Sequence, residues 1–252
     1  MLAIERKNEI LAILQKEQRV LVAELSQKYS VTEETIRRDL EKLEKEGFVK
    51  KTYGGAVLNN NTNVELPLRI REKTNKKEKQ LIAKIVADLV EEGESIMLDS
   101  SSTSLIVAKN LSQFKKLTVI TNSVEVLIEL AGHKGINVIS TGGMLRNSSL
   151  SLVGKTAERT LMNFNVDKAV ISCKGIDMDK GITESNESEA EIKNIMRLCA
   201  KATILAIDNS KFDNISFTKV FDLKKNDIVV TDKIDDKWYQ FFDDRTIKVI
   251  VE

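Results

Sequence analysis

Apolar positions in the first part of the chain recur at helical spacing. In residues 5–17, ERKNEILAILQKE, Ile10, Leu11, Ile13 and Leu14 lie to one side and charges fill the rest, which predicts an amphipathic helix. Arg19 and Val20 read as a short extended break. A second helix is expected over 22–29, with Val22, Leu25 and Tyr29 turned inward. After Ser30-Val31-Thr32, the run EETIRRDLEKLEKEG predicts a third helix whose buried stripe is Ile36, Leu40 and Leu43. Thr32 is a good N-cap type, Glu33 and Glu34 suit the positive end of the helix dipole, and Gly47 is placed to stop it. FVKKTYGGAVL then reads as two short strands around a Tyr53-Gly54-Gly55 turn.

Residues 58–66, LNNNTNVEL, are polar and are followed by Pro67 and a basic stretch, the composition of a linker. An amphipathic helix, EKQLIAKIVADLVEEG, opens the larger part of the chain. From there short apolar strands alternate with helices: SIMLD, LTVIT, INVIST, DKAVIS, TILAID, KVFD, DIVVTD and IKVIV, with Trp238 in a terminal helix. This alternation predicts a mostly parallel sheet with helices on both faces, an α/β fold. The expected organisation is residues 1–57, a linker over 58–76, and a larger domain over 77–252.

Composition narrows the class. The chain has 252 residues, of which 42% are hydrophobic and 31% charged, with one Pro, so disordered and collagen-like classes are excluded. No apolar run approaches the roughly 20 residues a bilayer span needs. The charged N-terminus is unlike a secretory signal, and a cytoplasmic protein is expected. Cys173 and Cys199 fall outside any ligand spacing and His133 is the one histidine, so no metal site and a reduced setting are expected. The formal net charge of +1 neither supports nor excludes a nucleic-acid partner.

The chemistry concentrates in two places. The third helix leaves polar residues outward and is followed by a β-wing, which is the winged helix-turn-helix plan for entering a major groove of double-stranded DNA. Thr32, Thr35, Arg37, Arg38 and Lys42, with Lys50, Lys51 and Tyr53 of the wing, are the candidate DNA contacts. Arginine suits guanine edges or phosphate forks, and lysine suits phosphates. Periodicity alone leaves open a helical adaptor with a solvated face.

The second place is the carboxyl ends of the strands, where ligands bind in such sheets. Asp99-Ser100-Ser101-Ser102-Thr103 lies where a strand turns into a helix, and helix-start amides with hydroxyls make a cradle for phosphate. Asn122, Gly142, Gly143, Lys174, Gly175 and Lys211 follow other strands at the same edge, with Arg146 near it. The set fits a phosphorylated sugar or polyol as a small-molecule effector, with no other cofactor.

The string TIRRDLEKLEKEGFVKKTYGGA closely resembles the recognition helix and wing of the DeoR family of bacterial transcription regulators. One departure is Leu21, where the family usually has a polar cap. IMLDSSSTS, LTVITNS, ISTGGML, KGIDMDKGITESNESEA and AIDNSKF resemble the family's C-terminal sensor domain, whose fold is similar to ribose-5-phosphate isomerase and coenzyme A transferases. The family's usual D-S-G-T-T is here Asp99 to Thr103, with serine in place of the glycine. The resemblance implies a sugar-phosphate effector, a homo-oligomer (dimer or tetramer), and a repressor of a sugar or polyol catabolic operon that the effector relieves. The rival reading is a sugar-phosphate isomerase fused to a DNA-binding domain. Its base would have to be Asp99, Asp177, Glu184 or Glu187, and no paired-carboxylate spacing singles one out. No catalytic residue is therefore assigned.

Overall fold

The computed structural model describes residues 1–59, 61 and 63–251. Asn60 and Thr62, within the expected linker, and the terminal Glu252 lie outside the described residues. The chain divides into two units, Met1–Thr74 and Asn75–Glu252.

The first unit runs α1 (Ala3–Glu17), β1 (Arg19–Leu21), α2 (Val22–Tyr29), α3 (Glu33–Lys45), β2 (Val49–Thr52), β3 (Gly55–Leu58) and α4 (Leu68–Lys73). Ile10, Leu11 and Leu14 of α1 meet Val22 and Leu25 of α2 and the Ile36, Leu40, Leu43 stripe of α3 in one core. Buried beside that core, the Arg6 side chain donates to Asp39 at 2.6 Å, tying α1 to α3. The extended break at Arg19–Val20 is a third strand: β1 pairs antiparallel with β3, giving the order β1-β3-β2. Gly55 is required there, because a Cβ would stand 2.0 Å from the Val20 carbonyl oxygen. Leu21 indeed offers no side-chain cap to α2. The Val22 amide is satisfied instead by the Gly54 carbonyl of the wing turn, at 2.8 Å.

The expected linker needs correction. Leu58 belongs to β3, Leu66 and Ile70 are buried in the first core, and α4 occupies part of the stretch. Asn-rich polarity and a proline suggested a free connector, but two well-spaced apolar residues suffice to dock a short helix.

The second unit contains α5 (Lys76–Asp88), β4 (Ser95–Leu98), α6 (Ser102–Lys109), β5 (Leu117–Thr121), α7 (Val124–Leu130), β6 (Ile136–Ser140), β7 (Met144–Arg146), β8 (Ser151–Val153), α8 (Lys155–Met162) and β9 (Val166–Ile171). It continues with β10 (Gly175–Asp177), β11 (Gly181–Glu184), α9 (Glu187–Leu198), β12 (Ala200–Ala206), β13 (Thr218–Phe221), β14 (Ile228–Thr231), α10 (Asp236–Asp243) and β15 (Lys248–Val251). Seven parallel strands form the main sheet in the order β15-β14-β12-β9-β4-β5-β6.

Successive residues of the central strands alternate between two cores. Ile96, Leu98, Val170, Ile204 and Ala206 pack with α5, α6 and α7. Met97, Ala169, Ile171 and Leu205 pack with α8, α9 and α10, including Trp238 and Phe242. Two-sided burial is why these strands read as continuous apolar runs. KVFD, expected among them, lies instead in a separate antiparallel sheet of order β10-β11-β13.

The chain order sets the site. From β4 it steps outward to β5 and β6, then returns to β9 on β4's other side and steps outward to β12, β14 and β15. The switch point, where successive connections diverge and open a crevice, falls between β4 and β9. Among the described residues no helix is long and apolar enough to cross a membrane, and no group of three or more His, Cys, Asp or Glu is placed to hold a metal ion.

Candidate functional site

In the first unit, α3 carries the outward polar residues. Thr32 caps it, its Oγ1 accepting from the Thr35 amide at 3.3 Å and lying 2.9 Å from the Thr35 hydroxyl. Arg37 pairs with Glu33 at 2.5 Å and Arg38 with Glu34 at 3.2 Å, one helical turn back and in solvent. Exposed pairs of this kind are worth at most about 1 kcal/mol, so they hold the arginines lightly. Lys42, Lys50 and Lys51 are exposed too. The Lys51 amide donates to Glu44 at 2.9 Å, pinning the wing to α3. At the wing tip Gly54 sits at φ +80°, and the Tyr53 ring stands wholly in solvent. This basic surface thus combines lightly held guanidiniums with an aromatic ring that no protein group covers. Asp39 faces Arg6 in the core and takes no part in it.

In the second unit, the turn after β4 sits at the switch point. Asp99 is fully buried. Its Oδ1 accepts from the Ser101 amide at 3.0 Å and the Ser104 hydroxyl at 2.6 Å. Its Oδ2 accepts from the Ser172 amide at 2.9 Å, on the far side of the switch point, and from Lys193 Nζ at 2.5 Å. Burial alone would raise the Asp99 carboxyl. The Lys193 charge and the hydrogen bonds from Lys193, Ser101 and Ser104 outweigh it and hold the group below the usual carboxylate range. Lys193 also donates to the Ser172 carbonyl at 2.8 Å and lies 3.4 Å from Glu184. Burial would lower its ammonium, but Asp99, Glu184 and Glu189 raise it above the ordinary value.

The expectation that Asp99 contacts an effector is therefore corrected: both its oxygens are taken, and it is a keystone beneath the turn. Two of the serines are likewise committed. Ser101 caps α6, accepting from the Ser104 amide at 3.0 Å, and Ser100 donates to Glu189 at 2.8 Å. The other first-turn amides of α6, those of Ser102 and Thr103, are left by helix geometry without an intrahelical partner.

The other expected residues follow β5, β6, β9 and β12, beyond the carboxyl ends of those strands. Asn122, fully buried after β5, donates to the Leu152 carbonyl at 3.2 Å, while its Oδ1 has no hydrogen-bond partner. Gly142 and Gly143 follow β6 at φ +63° and +116°. A Cβ on Gly143 would meet the Val153 carbonyl oxygen at 2.7 Å. Lys174 and Gly175 follow β9, and a Cβ on Gly175 would stand 2.1 Å from the Asn214 carbonyl oxygen. Lys174 and Lys211 are half-buried. The charges of Glu184, Lys211, Lys193 and Asp208 all act on the buried Cys173 thiol, which marks their convergence at this edge; burial first, then Glu184, pushes that thiol up to about 12.

Three residues were missed in the sequence. Glu189 is buried and accepts from the hydroxyls of Ser100, Ser149 and Ser151, with Arg146 at 3.6 Å. Lys193 and Arg197 follow it at four-residue spacing on the same buried side of α9. Charges repeating every four residues among Ala190, Ile192 and Met196 were the available signal.

Comparison with known proteins agrees with both halves. A DeoR-like helix-turn-helix domain matches residues 6–62, and a DeoR C-terminal sensor domain matches residues 74–233. The chain is 42% identical to the HTH-type transcriptional regulator YulB of Bacillus subtilis, over 99% of this chain and 96% of that one. It is 34% identical to the L-fucose operon activator of Haemophilus influenzae (90% and 91%) and 33% identical to the transcriptional repressor GlcR of Bacillus subtilis (91% and 88%). Among solved structures, ribose-5-phosphate isomerase A of Methanocaldococcus jannaschii is 17% identical, with a TM-score of 0.41 over 55% of each chain, too distant to speak to activity. From end to end, then, this chain belongs to the DeoR family of helix-turn-helix transcriptional regulators.

Proposed function

We propose that the protein represses a sugar or polyol catabolic operon and leaves its operator when a phosphorylated sugar or polyol occupies the crevice between β4 and β9. The observation that carries this reading is the turn at the switch point. The amides of Ser102 and Thr103 face no helix partner, a rigid Asp99–Lys193 pair holds the turn in place, and Lys174 and Lys211, after β9 and β12, with Arg146 beside Glu189, supply positive charge at the same edge of the sheet. Glycines at 143 and 175 let the neighbouring Val153 and Asn214 carbonyls pack closely at this edge, and the open Asn122 Oδ1 suits a hydroxyl donor.

DNA is read by Arg37, Arg38 and Lys42, with Lys50, Lys51 and Tyr53 on flanking phosphates, and Thr32 and Thr35 at the helix start. A homodimer or tetramer in the cytoplasm is the assembly this scheme needs, since two recognition helices span successive half-sites. Relatives carry both signs of regulation, and repression is the commoner of the two among them.

An isomerase is disfavoured by its own candidates. Asp99 is saturated and ion-paired, Glu184 accepts from the Ser185 amide at 2.9 Å, Asp177 caps the turn at Asp179 and Lys180, and Glu187 stands exposed in the first turn of α9. The test is direct. Duplexes selected from a random library by the full chain give the operator, and a thermal-shift screen of phosphorylated sugars and polyols gives the effector, whose stabilisation grows as RT ln(1 + [L]/Kd). A screening hit that is turned over rather than releasing DNA would reverse the assignment.

A further inference from the structure

Asn75 is the first residue of the second unit, joined by its peptide bond to Thr74, the last of the first. It adopts φ 48° and ψ 43°, left-handed backbone that a side chain rarely takes and that asparagine tolerates best among non-glycine residues. Its side chain does not cap α5. Instead Nδ2 donates to Asp208 Oδ1 at 2.8 Å and to the Ser210 hydroxyl at 3.2 Å.

Asp208 ends the run after β12 and is almost fully buried. It organises the short turn Asn209–Lys211: its Oδ1 also accepts from the Ser210 amide at 3.2 Å and from the Ser210 hydroxyl, and the Lys211 amide donates to its carbonyl at 3.0 Å. Its second oxygen, Oδ2, has no hydrogen-bond partner. Lys211 and the buried Lys79 of α5 place positive charge beside it. One carboxylate thus has one oxygen committed to Asn75 and Ser210 and the other unsatisfied. On the other side of the boundary peptide bond, the Thr74 hydroxyl donates to Gln15 of α1 at 2.7 Å, so the backbone on that side is fixed within its own unit.

We propose that Asn75 is the positioning residue through which the effector crevice acts on the connection to the DNA-binding unit: a phosphorylated polyol that engages Lys211 by its phosphate and Asp208 Oδ2 by a hydroxyl withdraws the hold on Asn75 and frees its torsions. The chemical requirement is specific. An inorganic anion supplies the charge for Lys211 and no donor for Oδ2, so it binds without signalling, whereas a polyol phosphate supplies both. This inference rests on the reading of function above and adds the route by which that site is heard.

The experiment uses the full chain, library-selected DNA, and a panel of phosphorylated sugars and polyols with inorganic phosphate as the control anion. In wild type, the panel member that raises Tm weakens DNA binding by a coupling factor of roughly 5 to 150. Asn75→Gly keeps the left-handed backbone accessible and deletes both side-chain bonds. It is expected to bind DNA as weakly as the effector-bound wild type, because the hold is already gone, and to keep a Tm shift with the same panel member, while the coupling factor falls to about one. Ser210→Ala, which removes one of the two bonds, lowers the factor partially and serves alone where Asn75→Gly does not fold. A coupling factor unchanged in the variants overturns the inference, as does loss of sugar-phosphate binding in Asn75→Gly, which would make Asn75 a structural part of the crevice. Release of DNA by inorganic phosphate as effectively as by the polyol phosphate also overturns it. If no panel member moves wild-type Tm, the functional reading fails first and takes this inference with it.

Discussion

Lys193 Nζ lies 2.5 Å from Asp99 Oδ2, both side chains buried, one on α9 and the other at the end of β4. The pair joins the helix of one layer to the turn at the switch point. Lys193→Met leaves a buried carboxylate without its counter-charge, and a loss of about 3–5 kcal/mol is expected in urea unfolding of the second unit. A change below about 1 kcal/mol would show that the hydrogen bonds from Ser101, Ser104 and Ser172 suffice alone.

The same pair sets a pH window. The folded Asp99 carboxyl lies below its ordinary value, so its contribution is present at neutral pH and is lost as pH falls through that folded value, below about 4. Lys193 is raised, so its contribution is present below about 10.4 and is lost only as pH climbs past the folded value. The unfolding midpoint of wild type should be level between these limits as far as this pair is concerned. In Lys193→Met, burial acts on Asp99 against the remaining hydrogen bonds alone, and the acid limb should begin at higher pH.

Arg38→Ala removes a guanidinium held by one exposed glutamate. If it reads a base, binding to the selected duplex weakens by about 1–3 kcal/mol and preference at one position relaxes. Lys50→Ala should instead weaken all duplexes alike and reduce the salt slope by about one. Equal losses on every sequence for both variants would move Arg38 to the phosphate backbone.

Gly143→Ala tests whether the glycine pair after β6 is a matter of space or of torsion. At φ +116° and with the Val153 carbonyl 2.7 Å from the new Cβ, both count against it. Strain of about 1–3 kcal/mol is expected, read as a lowered Tm, with weakened sugar-phosphate binding beside it. Gly142→Ala, whose nearest neighbour would be a methyl at 3.9 Å, meets only the torsional penalty and should cost less.

Cys173, pushed up to about 12, should resist a thiol reagent at about pH 8 until the second unit unfolds. Counting reactive thiols with and without guanidinium checks it. Rapid native labelling with a midpoint near about 8.5 would mean that the core around Cys173 opens far more often than its packing implies.

What could be read from the amino acids was what was periodic. The α3 stripe of Ile36, Leu40 and Leu43 and the two-sided runs of β4, β9 and β12 state their own burial, and the wing announces itself through Gly54 and Gly55. Side chains whose role depends on a distant partner did not. Asp99 looked like a ligand contact because its occupants, Lys193 and Ser172, come from beyond the switch point. Leu66 and Ile70 hid within polar neighbours, and β13 resembles a core strand although antiparallel pairing with β11 claims it.

The hydrogen bond from the Val22 amide to the Gly54 carbonyl has a practical corollary for anyone exchanging specificity between relatives. A wing cannot be transplanted as a loop, because its turn also seats the start of α2, and Gly55 fits only against the Val20 backbone. Because Arg6 of α1 also pairs with Asp39 of α3, the smallest exchangeable cassette runs from Ala3 through Leu58, and chimeras cut inside it should misplace a helix they never touched.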